Sequence, residues 1–137
     1  MKEKGCTILF VNDEEKVLLL LRDDISSIPY PNMWDIPGGH VEENETPEEC
    51  IVREMKEEIE LELEIEELKQ FSIVAFEDRD EYTYWQKANL DIGKIQLHEG
   101  QRLRWFCLDE VREIPLAYGF NKIVEMFYEK KPFRKGN

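Results

Sequence analysis

Glu54, Glu57 and Glu58 stand at i, i+3 and i+4 in the middle of the chain. On a helix, that spacing projects all three carboxylates from one face. Like charges so placed destabilise a bare helix by roughly 0.2–0.5 kcal/mol per pair, so the face asks for a cation. Arg53 reaches Glu57 at i+4, but one arginine cannot neutralise the set. Hard divalent ions such as Mg²⁺ or Mn²⁺ prefer carboxylate and carbonyl oxygens and match what is offered. The histidines are His40 and His98 only, and Cys6, Cys50 and Cys107 show no CxxC or Cys–His spacing, so a zinc centre is nearly excluded. An ordinary solvated acidic face has the same composition, and residues 42–66 are rich in glutamate throughout. Context separates the two readings: a Pro37-Gly38-Gly39 turn that frees backbone groups, a spacer, then a deliberately capped helix.

The elements that must position these groups are legible as patterns. Residues 5–12 and 16–22 are apolar, β-branched-rich runs separated by Asn12-Asp13-Glu14-Glu15, which reads as a hairpin. Residues 23–33 form a loop, and Trp34-Asp35-Ile36 is a short strand stopped by Pro37-Gly38-Gly39. Thr46-Pro47-Glu48-Glu49 starts a helix, with a hydroxyl at N-cap, proline at N1 and glutamate at N3. Ile51, Met55 and Ile59 recur every four residues as its buried stripe. Leu61, Leu63 and Ile65 then alternate with glutamates, the pattern of a half-buried strand. Residues 69–76 and 81–92 read as an antiparallel pair turning at Glu77–Asp80, Arg102–Leu108 as another strand, and residues 117–130 as a closing helix. The order β-β-loop-β-α-β-β-β-β-α predicts one α/β domain over residues 1–137, a central mixed sheet sandwiched by helices.

Composition narrows the partners. The chain has 18 Lys plus Arg against 31 Asp plus Glu, a formal net charge of −13, which disfavours long nucleic acid. A polyphosphate ligand would need local cations, and a bound metal is the obvious supplier. The longest aliphatic run, Val17–Leu21, falls far short of the roughly 20 residues of a membrane-spanning helix. The N-terminus carries no extended apolar stretch or cleavage-site pattern, and the three cysteines read as reduced thiols in a cytosolic core. A cytoplasmic protein, monomer or homodimer, is the expectation.

The stretch Gly38–Leu61 resembles the signature of the Nudix hydrolases, G-x5-E-x7-R-E-U-x-E-E-x-G-U with U aliphatic. Here Gly39 is followed by five residues, Glu45, seven residues and then Arg53-Glu54-Met55-Lys56-Glu57-Glu58-Ile59-Glu60-Leu61. Every defined position matches except Glu60, which stands where the family has glycine. That glycine ends the helix in a left-handed conformation, which costs another residue roughly 1–2 kcal/mol. A stability effect or a slightly altered helix end, not loss of chemistry, is expected.

The resemblance implies the Nudix α/β/α sandwich and assigns roles to the matching positions. Glu57 and Glu58 would be the principal metal ligands, and Glu54 a further ligand or the residue orienting the attacking water. The Gly38 carbonyl would also face the metal, with Gly39 against the substrate. Arg53 would hold the glutamates by charge-assisted hydrogen bonds, with Glu45 as an outer carboxylate. Glu99 lies in an E-G-Q loop similar to one that completes the metal site or supplies the base in family members cleaving nucleoside triphosphates. A plain turn residue is the alternative. Arg22 resembles a position that grips substrate phosphate, and Asn121 an amide that reads an oxidised purine.

Tyr82, Tyr84 and Trp85 offer either a stacking face or ordinary sheet packing, and Tyr30 and Trp34 flank the loop before the box. The resemblance thus implies Mg²⁺- or Mn²⁺-dependent hydrolysis of a small nucleotide, of the type that converts an oxidised or ordinary nucleoside triphosphate to monophosphate and pyrophosphate. Hydrolysis of ADP-ribose, a nucleotide sugar or a dinucleotide polyphosphate is the alternative within the family. A non-catalytic nucleotide-binding sensor is the alternative outside enzymes. RNA decapping fits poorly with the acidic charge.

Overall fold

Strand β1 (Glu3–Val11) is buried at every position from Gly5 onward, because it runs through the middle of a sheet covered on both faces. The computed structural model describes residues 2–134. Along its whole length β1 pairs in parallel with β6 (Arg79–Lys87), from Glu3 opposite Arg79 to Val11 opposite Lys87. Its other side is shared. The first half meets β4 (Gly38–His40) in antiparallel register, with Thr7 opposite Gly38. Its end turns through Asn12–Glu15 into β2 (Val17–Leu21), with Val11 opposite Val17.

Outside this centre, β2 carries β3 (Trp34–Asp35) and β7 (Arg102–Phe106), while β5 (Lys69–Ala75) closes the far edge against β6. Helix α1 (Pro47–Ile59) covers one face, α2 (Leu108–Arg112) and α3 (Asn121–Lys130) the other. Alternation along the strands divides the core accordingly. Ile8, Phe10 and Leu18 meet Cys50, Ile51, Met55 and Ile59, whereas Leu9, Val11 and Leu19 meet Val111, Ile123, Val124 and Phe127. Each such fully buried side chain contributes roughly 1.5–3 kcal/mol. This is the expected mixed sheet between helices.

The start and end of α1 are set locally. Thr46 accepts from the Glu49 amide at 3.1 Å and Glu49 accepts from the Thr46 amide at 2.8 Å, the reciprocal capping box read in the sequence. At the other end Glu60 adopts φ 54°, ψ 33°, so the left-handed turn of the family pattern forms without glycine. The Glu60 carboxylate binds the His98 ring, tying the helix end to a distant loop.

Four expectations are corrected. Residues 61–66 join no strand ladder among the described residues: the Glu60 turn sends the chain into a loop with a 3-10 turn at Ile65–Glu67, and only Leu63 of the alternating set is buried. The sequence placed a stop at Gly38-Gly39, yet these glycines are themselves a strand against β1. The second strand of the antiparallel pair ends at Lys87, and residues 92–94 are a 3-10 turn. Finally, Cys6 and Cys50 are not separate thiols but a disulfide, leaving Cys107 free among the described residues. Packing α1 onto β1 brings their Cα atoms to 6.6 Å although 44 positions separate them, which no local spacing records. The argument from cysteines to a reducing compartment therefore falls.

Candidate active site

Gly38 and Gly39 bring the backbone of the sheet against the acidic face of α1. A Cβ on Gly38 would stand 1.9 Å from the Cys6 carbonyl oxygen, and one on Gly39 would stand 2.4 Å from the Glu54 carboxyl carbon. Only glycine lets β4 lie this close to both neighbours.

On α1 the three carboxylates part company. One oxygen each of Glu54, Glu58 and Glu99 lies within 4.8 Å of the others. Glu57 is 61 % exposed and turned to Arg53 at 3.3 Å. Arg53 organises the outer rim: its Nε donates to Glu45 at 2.7 Å, Nη1 to Glu54 at 2.8 Å, and Nη2 to the His40 carbonyl at 3.1 Å. These bonds hold its guanidinium above even the usual arginine range.

Glu99 joins this group from a loop distant in sequence. The His98 amide donates to the Glu58 carbonyl at 2.8 Å, and the Gln101 amide donates to the Leu21 carbonyl at 2.8 Å. Between them Gly100 takes φ 88° and passes against Leu20, where a Cβ would come within 2.7 Å of its side chain. The His-Glu-Gly-Gln loop is therefore fastened to both α1 and β2.

These groups open on one cleft of about 460 Å³, within the range of small-molecule sites. Arg22, Gly38, Gly39, Arg53, Glu54, Glu57, Glu58 and Glu99, all singled out in the sequence, line it. Arg22 is held by Asp35 at 3.0 Å and by the Pro29 carbonyl at 2.9 Å.

Asn121 is corrected. It is absent from the cleft lining, because its amide receives the Leu116 N–H at 2.8 Å and donates to the Ile114 and Val111 carbonyls at 2.7 and 3.1 Å. It ties the turn before α3 instead. Nor do Tyr82, Tyr84 and Trp85 face the cleft: Tyr84 and Trp85 are buried in the core, Tyr84 donating to Glu48 at 2.8 Å. Tyr30 and Trp34 are not among its lining residues, although the Tyr30 ring meets that of Tyr118, which is, at 4.5 Å and a 58° tilt.

The aromatic wall comes from Tyr118 and Phe120, and its acidic floor from Asp35 and Glu81, none of which the sequence reading assigned to a site. Arg79 lies 4.5 Å from the Tyr118 ring centre and Arg22 5.5 Å. The available signal was a charged residue inside a strand paired on both sides, as Glu81 is between β1 and β5.

The acids have different electrostatics. Burial, reinforced by the bond to Glu54 and the charges of Glu54 and Glu99, pushes the Glu58 carboxyl well above the usual range. Burial pushes Asp35 up to about 6 against the pull of Arg22, and Glu81 up to about 8 against the pull of Arg79. Three crowded carboxylates, one nearly inaccessible, must hold a proton or a cation. An all-oxygen set of this charge fits a hard divalent ion.

A family model described as the NUDIX domain matches residues 1–127. A protein of Mycobacterium tuberculosis named putative 8-oxo-dGTP diphosphatase 3 is 33 % identical over 93 residues, covering 64 % of this chain and 43 % of its own length. The match thus spans under half of that relative. The CTP pyrophosphohydrolase of Escherichia coli is 28 % identical over 128 residues, 93 % of each chain. A MutT structure from work on Aliivibrio salmonicida and Vibrio cholerae superposes with a TM-score of 0.75 at 21 % identity, over 95 % of this chain and 99 % of that one.

Proposed function

This chain belongs to the NUDIX domain family, and we propose that it hydrolyses a nucleoside diphosphate linked to a further moiety. The favoured substrate is a nucleoside triphosphate, ordinary or oxidised, giving monophosphate and pyrophosphate. The observation that carries this reading is the convergence of Glu54, Glu58 and Glu99 within 4.8 Å at a cleft that arginines also line. The nucleotide names of two relatives support it.

Glu54, Glu58 and Glu99 would hold Mg²⁺ or Mn²⁺, and the family resemblance adds Glu57 and the Gly38 carbonyl as further ligands. Such an ion supplies charge neutralisation on the phosphates and a more acidic water. The chain's own groups do the rest. Arg53 keeps Glu54 and Glu45 in fixed orientations, so their loss of rotamer freedom precedes substrate binding. Glu54 or Glu99 takes the proton of the attacking water. Water oxygen bonds to phosphorus in line as the bridging P–O bond breaks, and the leaving phosphate departs with the electron pair. Arg22 and Arg79, which also line the cleft, are cations available to the phosphates. No side chain need become covalently attached.

Chromatographic product analysis tests the reading, using dNTPs, oxidised dNTPs, NTPs, ADP-ribose and nucleotide sugars with Mg²⁺, Mn²⁺ or chelator. Metal-dependent release of monophosphate plus pyrophosphate is expected. Two phosphorylated halves would transfer the activity to a diphosphate-linked substrate. Silence across the panel, with metal still raising the melting temperature, would leave a sensor and overturn the enzymatic reading.

A further inference from the structure

Glu54 and Glu58 are aimed by a helix, but Glu99 is not. Residues 95–101 form neither helix nor strand, and Glu99 is exposed, so packing does little to hold its side chain. Its direction depends on how the loop backbone is fastened. Gln101 secures the far side, its amide bonded to the Leu21 carbonyl and its side chain to the Arg22 carbonyl, both at 2.8 Å. On the near side stands His98, whose amide and ring both reach the end of α1. The amide donates to the Glu58 carbonyl at 2.8 Å, and the ring Nε2 is bonded to the Glu60 carboxylate.

Glu60 is a costly residue for its place. It ends α1 at φ 54°, ψ 33°, a conformation that glycine takes freely and other residues take at a cost. The family pattern has glycine there, with no side chain to offer. Among the described residues the Glu60 carboxylate has one partner, the His98 ring. The two side chains are 56 % and 50 % exposed, and a pair so exposed adds little to stability. Its consequence is where residue 98 stands. Attachment at two points, amide and ring, removes rotation that a single bond would leave to the peptide entering Glu99. Resting on the reading of Glu99 as a metal ligand, we propose that Glu60 is a positioning residue: through His98 it presets the Glu99 carboxylate beside Glu54 and Glu58 before metal or substrate arrives.

The test uses Glu60→Gly, Glu60→Gln, His98→Ala and the Glu60→Gly/His98→Ala double variant. Glutamine both donates and accepts, so it keeps a bond to either ring tautomer and serves as the rescue. Calorimetric titration with Mn²⁺ alone should show about ten-fold weaker binding for Glu60→Gly and for His98→Ala, the loss that follows removal of a ligand's supporting partner, with Glu60→Gln within about two-fold of the wild type. The double variant should bind no more weakly than either single one, because both remove the same bond. In chelator, hydrogen exchange at residues 98–101 should quicken in both single variants and not in Glu60→Gln. With nucleotide at saturating Mn²⁺, kcat should fall in both single variants while KM holds. The two Glu60 variants alone decide the matter should His98→Ala unfold. Mn²⁺ affinity unchanged in Glu60→Gly, an equal loss in Glu60→Gln, or losses that add in the double variant would overturn this inference and leave the hydrolase reading standing. The expected Mn²⁺ and exchange pattern without turnover of any nucleotide would uphold the inference and overturn the hydrolase reading. A wild type that binds no Mn²⁺, with or without nucleotide, overturns both.

Discussion

Replacing Glu58 by glutamine should make the metal-free protein more stable and the metal-loaded protein less so. Glu58 is 4 % exposed, and its carboxyl is raised first by burial and then by Glu54 and Glu99. In the unfolded chain it titrates near its ordinary value. A group that binds its proton more tightly when folded contributes stability below the unfolded pKa, and that stability is lost as pH rises through the folded one. At neutral pH in chelator the native cluster is therefore destabilising. A buried polar group left uncompensated costs about 1–3 kcal/mol, so Glu58→Gln should gain about that much. For a chain of this size that raises Tm by roughly 3–10 °C. Saturating Mg²⁺, at about 100 times Kd, should add about 2.7 kcal/mol to the wild type. The variant, lacking one of three converging oxygens, should gain far less and lose about 100-fold or more in turnover.

Calorimetric melts at neutral pH, in chelator and in Mg²⁺, should thus show the order of the two proteins invert. In chelator, moreover, the wild type should lose stability from mildly acidic pH upward more steeply than the variant. A variant that melts below the wild type in chelator, or keeps the full Mg²⁺ shift, would refute the reasoning.

Three further outcomes follow from the same geometry. Gly39→Ala places a Cβ 2.4 Å from the Glu54 carboxyl carbon, so turnover should fall at least ten-fold while melting shows a stability loss of only about 1–3 kcal/mol. Glu60→Gly relieves a left-handed residue worth about 1–2 kcal/mol but frees an unfolded chain by about 0.4–1 kcal/mol. It should melt slightly higher yet turn over more slowly, because it releases His98 beside Glu99; equal rates would remove the loop-tethering role. Reducing the Cys6–Cys50 bridge opens a loop of 44 positions, worth about 4 kcal/mol in the chain-entropy account. Thiol reductant should therefore lower Tm by more than 10 °C, and an unchanged melt with no thiols released would show that no bridge forms.

Helix α1 and its chemistry were legible in the sequence because they are local. A capping box spans four residues, a buried stripe repeats every turn, and three glutamates at helical spacing share a face wherever the helix lies. The left-handed end at Glu60 was not: it was implied only by the family pattern, and with glutamate in place of glycine an altered end was expected, whereas the left-handed turn forms. The tertiary structure alone decided what depends on distant pairings. Glu57 turns outward to Arg53 while Glu99, 42 positions further along, takes the place beside Glu58. Asn121 is drawn into a turn by three backbone groups. Cys6 meets Cys50, and Gly5 makes room for Glu81, only because β1 lies under α1 and alongside β6. Periodicity records which way a side chain points on its own element. It holds no record of the element packed opposite, and that neighbour determines whether a buried acid becomes a ligand, a core residue or the floor of a cleft.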